Sequence, residues 1–105
     1  MTARDVHHPR HRLDVELQNP IRLSILAALR RAGTLGFAEV RDLIEVSDSA
    51  LSKHASALEQ TRYVRVGKTF VGKRPRTTFT ITRAGRDALQ HHMAALTQIA
   101  EIDED

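Results

Sequence analysis

The residues of this chain whose types and spacing could do chemistry lie between residues 47 and 62, in the segment SDSALSKHASALEQTR. On a helix advancing about 100° per residue, its apolar side chains fall on one side. The opposite side carries hydroxyls, one amide and one cation, from Ser49, Ser52, Lys53, Ser56 and Gln60. Such short side chains let a helix backbone approach base edges and phosphates, with which serine and lysine form hydrogen bonds. The segment therefore predicts a helix that packs by one face and enters a DNA major groove with the other.

The distribution of charge supports a polyanionic partner. The chain has 16 basic and 13 acidic residues, a net charge of only +3, but eight of the basic residues lie between Gln60 and Arg86, where no acidic residue occurs. The C-terminus reverses the sign with four carboxylates after residue 100. A basic segment directly after a hydroxyl-rich helix is typical of a nucleic-acid binder, whereas a solvated basic face is the simpler alternative.

Two strands with a basic loop between them are predicted after this helix. In YVRVGKTF and TTFTIT the apolar residues alternate with polar ones, which is the period of a half-buried strand. The connecting VGKRPRT predicts a long flexible tip with three cations. A hairpin in this position is expected to lie along the DNA backbone or in the minor groove, where arginine is favoured.

Helices are predicted before the segment as well. Asn19 and Pro20 are the N-cap and first residue of a helix that ends at Gly33. After a short link at residues 34–36, a short amphipathic helix begins at Phe37, and Ser47 or Asp48 caps the helix that follows. Two helices joined by a tight turn, the second with a polar outer face, predict a helix-turn-helix.

This order of motifs resembles the winged helix-turn-helix transcriptional regulators of the MarR/ArsR type, in particular small proteins with little beyond the winged domain. The residues that carry the resemblance are Asn19-Pro20-x-Arg22, Phe37-x-x-Val40, the SDSALSKH opening, Leu58-Glu59, Tyr63-Val64, the wing from Phe70 to Thr78, and Ile81-Thr82-x-x-Gly85-Arg86. The resemblance covers about two thirds of the chain and implies a homodimeric DNA-binding regulator. Two positions depart from the family pattern: Ala55 stands where a leucine is usual, and Arg62 where a glycine normally ends the recognition helix.

The last helix predicts dimerisation. It is expected over residues 83–102, capped by Thr82, and carries two adjacent apolar stripes, of which a small core would cover only one. Pairing across a two-fold axis would cover the other, and would place two recognition helices about 34 Å apart on an inverted repeat. The expected dimer-interface residues are Leu13, Leu17, Leu89, Met93, Leu96 and Ile99.

The histidines and the composition bear on other functions. Asp87 and His91 are spaced to share a metal ion, but the further ligands of a metal-sensing regulator are missing, so no metal and no cofactor are expected. The sequence has no phosphate-binding loop, no HExxH and no paired-carboxylate motif, so an enzyme is not expected. With no cysteine, no apolar leader and no membrane-spanning run, a cytoplasmic protein is expected.

The sequence thus predicts one mainly α domain with a β-hairpin wing (α+β), over residues 13–102. A disordered tail is expected at residues 1–12 and an acidic tail at 103–105. The predicted function is a DNA-binding transcriptional regulator, and the alternatives are a winged-helix adaptor for protein contacts and a metal-responsive repressor. A small-molecule effector is left open. The candidate DNA-binding residues are Ser47, Ser49, Ser52, Lys53, Ser56, Lys68, Lys73, Arg74, Arg76 and Thr77.

Overall fold

The computed structural model describes residues 7–102, and the predicted acidic tail at 103–105 lies outside them. Within this range the helices are α1 (Pro20–Ala32), α2 (Phe37–Ile44), α3 (Asp48–Gln60) and α4 (Arg83–Ile102), and the strands are β1 (Thr34–Gly36), β2 (Val64–Val71) and β3 (Arg74–Ile81). The mainly α architecture with a β-hairpin wing is confirmed. No helix of the described residues is both long and apolar enough to cross a membrane.

Helix α1 is the centre of the fold. The Asn19 side chain accepts hydrogen bonds from the N–H groups of Ile21 (2.9 Å) and Arg22 (3.1 Å), which caps the helix as predicted. At its other end the chain turns at Gly33, with φ 83°. Ile25, Leu26 and Leu29 of α1 are fully buried. They are joined in one core by buried residues of every other helix and of the wing base: Leu17, Val40, Leu51, Ala55, Leu58, Val64, Phe79, Ile81 and Leu89.

The sheet has three antiparallel strands in the order β1-β3-β2. Residues 34–36, predicted as a link, form β1, which pairs with β3 from Thr34 opposite Thr80 to Gly36 opposite Thr78. The two hydroxyls of Thr34 and Thr80 lie 2.8 Å apart. The sheet therefore ties the wing to the chain that precedes α2.

The wing itself is longer and its tip tighter than predicted. Strands β2 and β3 pair from Val64 opposite Ile81 out to Val71 opposite Arg74, so the expected flexible loop is a two-residue turn. Gly72 occupies the first turn position with φ 65°, a conformation that L side chains rarely adopt and that hairpin turns of this length require. Of the three basic residues of the tip, Arg74 and Arg76 are thus on β3, and Lys73 is the second residue of the turn.

The N-terminal segment is ordered from residue 9, in contrast to the prediction of a disordered tail up to residue 12. Pro9–Arg12 form a 3-10 helix in which Pro9 is buried, and the Arg12 side chain donates to Gln98 of α4. A second 3-10 helix, Val15–Gln18, buries Leu17 against the core. The 3-10 helix Pro9–Arg12 packs against α4, and the composition of the segment alone did not predict this contact. Residues 1–6 of the predicted tail lie outside the described range.

Candidate nucleic-acid interface

Helix α3 presents the polar face that its sequence predicted. Its outer residues Ser49, Ser52, Lys53 and Ser56 are all exposed, whereas Leu51 and its neighbours on the inner face are buried. Ser47 precedes the helix, and its Oγ accepts a hydrogen bond from the N–H of Ala50 at 3.1 Å. Ser47 therefore caps the helix, and it leaves the side chains beyond it free to contact a ligand.

The inner face of α3 includes a histidine. His54 is only 8% exposed, and its Nδ1 has no hydrogen-bond partner among the described residues. Burial lowers the pKa of His54 below its ordinary value, and the positive charges of Arg22 and Lys53 lower it further. The imidazole is therefore neutral at physiological pH and packs in the core. Its burial fits a packing role and not a contact with phosphate.

The C-terminus of α3 is fixed by backbone geometry. The N–H of Arg62 donates to Glu59 (3.0 Å) and that of Tyr63 to Leu58 (2.9 Å), the paired bonds of a Schellman motif. Arg62 has φ 66°, which is the left-handed conformation. Arginine therefore occupies a backbone position that favours the glycine usual in the family. Backbone strain of about 1 kcal/mol is accepted at the point where α3 joins the wing.

Close packing also holds that junction against α4. Thr82 caps α4 through its Oγ1, which accepts from the N–H of Gly85 (3.0 Å) and donates to the carbonyl of Arg62 (2.6 Å). A side chain on Gly85 would collide with the carbonyl oxygen of Tyr63. The absence of a Cβ at residue 85 therefore lets α4 begin directly beneath the end of α3.

The wing places three of its four predicted cations free of ion pairs. Lys68, Lys73 and Arg74 are exposed and form no salt bridge with any residue in the described range. Arg76 differs, because its guanidinium pairs with the carboxylate of Glu39 on α2. Glu39 Oε1 also accepts from the N–H of Gly36 (2.9 Å), so one carboxylate caps α2 and braces the wing.

A groove separates α3 from the wing. It is lined by Ser52, Ser56 and Thr77 together with the apolar side chains at its floor, and its lining residues are Phe37, Ser52, Ala55, Ser56, Glu59, Val66, Thr77 and Phe79. The structure thus brings two candidate residues of α3, Ser52 and Ser56, next to Thr77 of the wing. The exposed cation Lys68 lies directly opposite Thr77 in the hairpin. A polyanion lying across α3 would meet the hydroxyls of Ser52 and Ser56 on one wall and Thr77 with its neighbour Lys68 on the other, and Glu59 is the one carboxylate in the lining.

A hydrogen-bonded cluster that the sequence did not predict joins the N-terminal segment to Tyr63, just before β2, and to α4. The Tyr63 hydroxyl donates to Asp14 (2.5 Å), and the N–H of Asp14 donates to Nδ1 of His92 (3.0 Å). The bond to Asp14, together with burial, raises the pKa of Tyr63 to about 12. His92 is 2% exposed and so is a core residue of its own chain. The partners are far apart in sequence, so no local pattern signals them.

The apolar residues assigned to a dimer interface divide into two groups. Leu17 and Leu89 are each 1% exposed within the single chain, so they are core residues and that assignment is wrong for both. Met93 (41%) and Leu96 (37%) are exposed on α4, and Leu13 and Ile99 are partly exposed. Ile102 is half exposed near the end of α4 but lies nine residues after Met93, about 180° round the helix, so it belongs to another side of it.

The candidate metal ligands are not brought into a site. Asp87 and His91 are exposed on α4, and residues 7–102 contain no group of three or more histidine, cysteine or acidic side chains that could hold a metal ion.

A helix-turn-helix formed by α2 and α3, followed by the β2–β3 wing, defines a winged-helix domain. The chain belongs to the winged helix DNA-binding domain family, whose model matches residues 21–100. A search among curated proteins finds no match.

Solved structures of transcriptional regulators share this fold. A transcriptional regulator homologue from Pyrococcus horikoshii OT3 superposes with a TM-score of 0.79 at 24% identity, over 86% of this chain and 89% of that one. MarR from E. coli in its apo form gives a TM-score of 0.69 at 17% identity, over 86% and 68% of the two chains. BpsR from Bordetella bronchiseptica, whose DNA binding is regulated by 6-hydroxynicotinic acid, gives 0.68 at 16% identity, over 88% and 64%. The predicted resemblance to MarR-type proteins is therefore confirmed at the level of the fold.

Proposed function

We propose that this protein is a transcriptional regulator that binds an inverted-repeat DNA operator as a homodimer. In this proposal α3 enters the major groove, and the wing lies on the backbone and minor groove beside it. The observation that carries the proposal is the groove in which the exposed hydroxyls of Ser52 and Ser56 on α3 lie next to Thr77 of the wing. The cross-strand partner of Thr77 is Lys68, an exposed cation with no ion pair among residues 7–102.

The assignment of contacts follows from exposure and charge. Ser49, Ser52, Lys53 and Ser56 contact base edges or phosphates, because they are exposed on α3 and carry hydroxyl or ammonium donors. Lys68, Lys73 and Arg74 contact phosphates, because they are exposed cations with no ion pair among residues 7–102. Thr77 contacts the duplex from the wall of the groove, beside Lys68. Ser47 contributes through the cap that it forms, and Arg76 through its brace with Glu39.

The homodimer forms through the uncovered apolar surface of α4. Met93 and Leu96 lie on one side of α4 and are too exposed to contribute fully to the core of one chain, and a second copy of the same helix would bury them. The paired helices set the spacing of the two α3 helices, which a two-fold symmetric operator matches. Relatives of the same fold include a protein described as a transcriptional regulator homologue and one whose DNA binding is regulated. The domain binds DNA without catalysing a reaction.

The test is a fluorescence-polarisation titration of protein of known oligomeric state against random-sequence duplex DNA at several salt concentrations. Binding that weakens steeply with salt supports the proposal, because phosphate contacts release counterions. Selection from a random duplex library should then return a two-fold symmetric site, and Lys53→Ala or Ser52→Ala should alter the preferred bases. No binding at low salt would refute the proposal and favour a protein-contact module.

A further inference from the structure

The tip of the wing carries exposed apolar side chains, which cannot bind phosphates and so have no role in the contacts proposed above. Phe70 is 67% exposed and Val71 is 62% exposed. Pro75, also exposed, lies directly opposite Phe70 on β3. Cations surround these residues, at Lys73 and Arg74 of the tip. Apolar side chains rimmed by polar groups on a soluble protein mark a contact surface.

Phe70 and Val71 lie on opposite faces of the hairpin, because successive strand residues alternate. Phe70 shares its face with Val66, which lines the groove against α3 together with Thr77 and Phe79. Phe70 lies four residues beyond Val66, roughly 13 Å farther out on that face. Val71 is on the other face. The side of the wing that faces the serines of α3 thus ends in an aromatic ring.

We infer that Phe70, supported by Pro75, enters the DNA minor groove as an apolar wedge and kinks the duplex beside the base pairs that α3 contacts. The inference rests on the proposed function and adds a contact to it. Apolar wedges of this type partly unstack a base step and bend DNA towards the major groove. The cations at Lys68, Lys73 and Arg74 hold phosphates on either side of the groove and so keep the ring over it.

The geometry of the tip suits this role. The minor groove is only about 6 Å wide, so a wing can place tip side chains in it while its backbone stays above. The two-residue turn brings Phe70 within two residues of the end of the hairpin, and β1 covers only Thr78–Thr80 on the outer edge of β3. The tip therefore projects from the domain with no strand beside it.

The test compares wild-type protein with Phe70→Ala and Val71→Ala on the same operator duplex. Both residues are exposed, so both variants should fold, and circular dichroism verifies this. Phe70→Ala should weaken binding by at least about tenfold at every salt concentration, because the lost contact is apolar. Its salt slope should equal that of the wild type. Val71→Ala, the matched control on the other face, should stay within about twofold of wild-type affinity.

A second readout measures the bend, by energy transfer between dyes on the two duplex ends. Wild-type protein should bring the ends closer, and Phe70→Ala at saturating concentration should do so less. Wild-type affinity for Phe70→Ala, losses of equal size for the two variants, or an unchanged bend would each overturn the wedge. Binding of wild-type protein to phosphatidylglycerol vesicles that Phe70→Ala abolishes, with DNA affinity intact, would overturn it in favour of a membrane contact. A wild-type protein that binds no DNA refutes the proposed function instead.

Discussion

Replacement of Arg74 by alanine should change the salt dependence of DNA binding, and Arg76 provides the contrast. Arg74 is exposed and unpaired within the described range, whereas Arg76 is held by Glu39. Each phosphate contact contributes about 0.9 to the slope of log affinity against log salt. A symmetric dimer loses two contacts with Arg74→Ala, so the slope should flatten by about 1.8.

That change in slope has a measurable size. Between about 50 and about 200 mM salt, a slope difference of about 1.8 corresponds to a factor of roughly 12 in relative affinity. Arg74→Ala should therefore be weakest relative to wild type at low salt and recover about 12-fold towards it at the higher salt. Arg76→Ala should flatten the slope less, because Glu39 competes with phosphate for the guanidinium. Glu39→Gln should steepen it by releasing Arg76.

The assay is fluorescence polarisation of a labelled operator at four or more salt concentrations. Arg10→Ala is the control for a loss of charge, since Arg10 is an exposed cation on the N-terminal 3-10 helix and belongs neither to α3 nor to the wing. A slope unchanged by Arg74→Ala would refute contact between the wing tip and phosphates. Equal slopes for Arg74→Ala and Arg76→Ala would instead show that DNA displaces Glu39.

Three further predictions concern assembly and stability. Leu96→Glu places a charge on the uncovered face of α4, so it should give monomers in sedimentation and weaken operator binding; a dimeric variant would place the interface elsewhere. Arg62→Gly should raise the free energy of unfolding by roughly 0.5–1 kcal/mol in urea denaturation, since φ 66° suits glycine, and a loss of stability would contradict the strain. Burial lowers the pKa of His54 in the folded state, so the unfolded chain binds more protons as pH falls past the ordinary value of 6.5. Stability should therefore drop as the solution is acidified below that pH, and less so in His54→Gln; an identical pH dependence of both proteins would exclude this residue as the cause.

Local signals were sufficient to predict the helices. Asn19 and Pro20 start α1, Ser47 caps α3 and Thr82 caps α4, and in each case the group that caps the helix is adjacent in sequence. The hydroxyl-rich face of α3 was also predictable, because the helical period alone determines which residues share a face. The exposure of these residues in the structure agrees with that pattern.

Contacts between distant residues account for what the sequence did not reveal. Strand β1 has three residues, too few for an alternating pattern, and its partner Thr80 lies far along the chain from Thr34. The Arg76–Glu39 brace has no local signal for the same reason. An apolar residue is expected to be buried, but the pattern does not specify the surface that buries it. Leu17 and Leu89 were therefore assigned to a second copy when the core of one chain covers them.

The short reach of β1 divides the wing thermodynamically. Residues 78–80 of β3 have a strand on each side, whereas residues 74–77, towards the tip, pair with β2 alone among the described strands. A two-stranded ribbon alone is marginally stable in water. The backbone amides of the outer half of the wing should thus exchange hydrogen faster than those of the wing base. Binding to a duplex should order this outer half, which makes an unfavourable contribution to the entropy of binding. In calorimetry, the entropy of binding would then include the ordering of the outer half of the wing, which α3, a rigid helix, does not require.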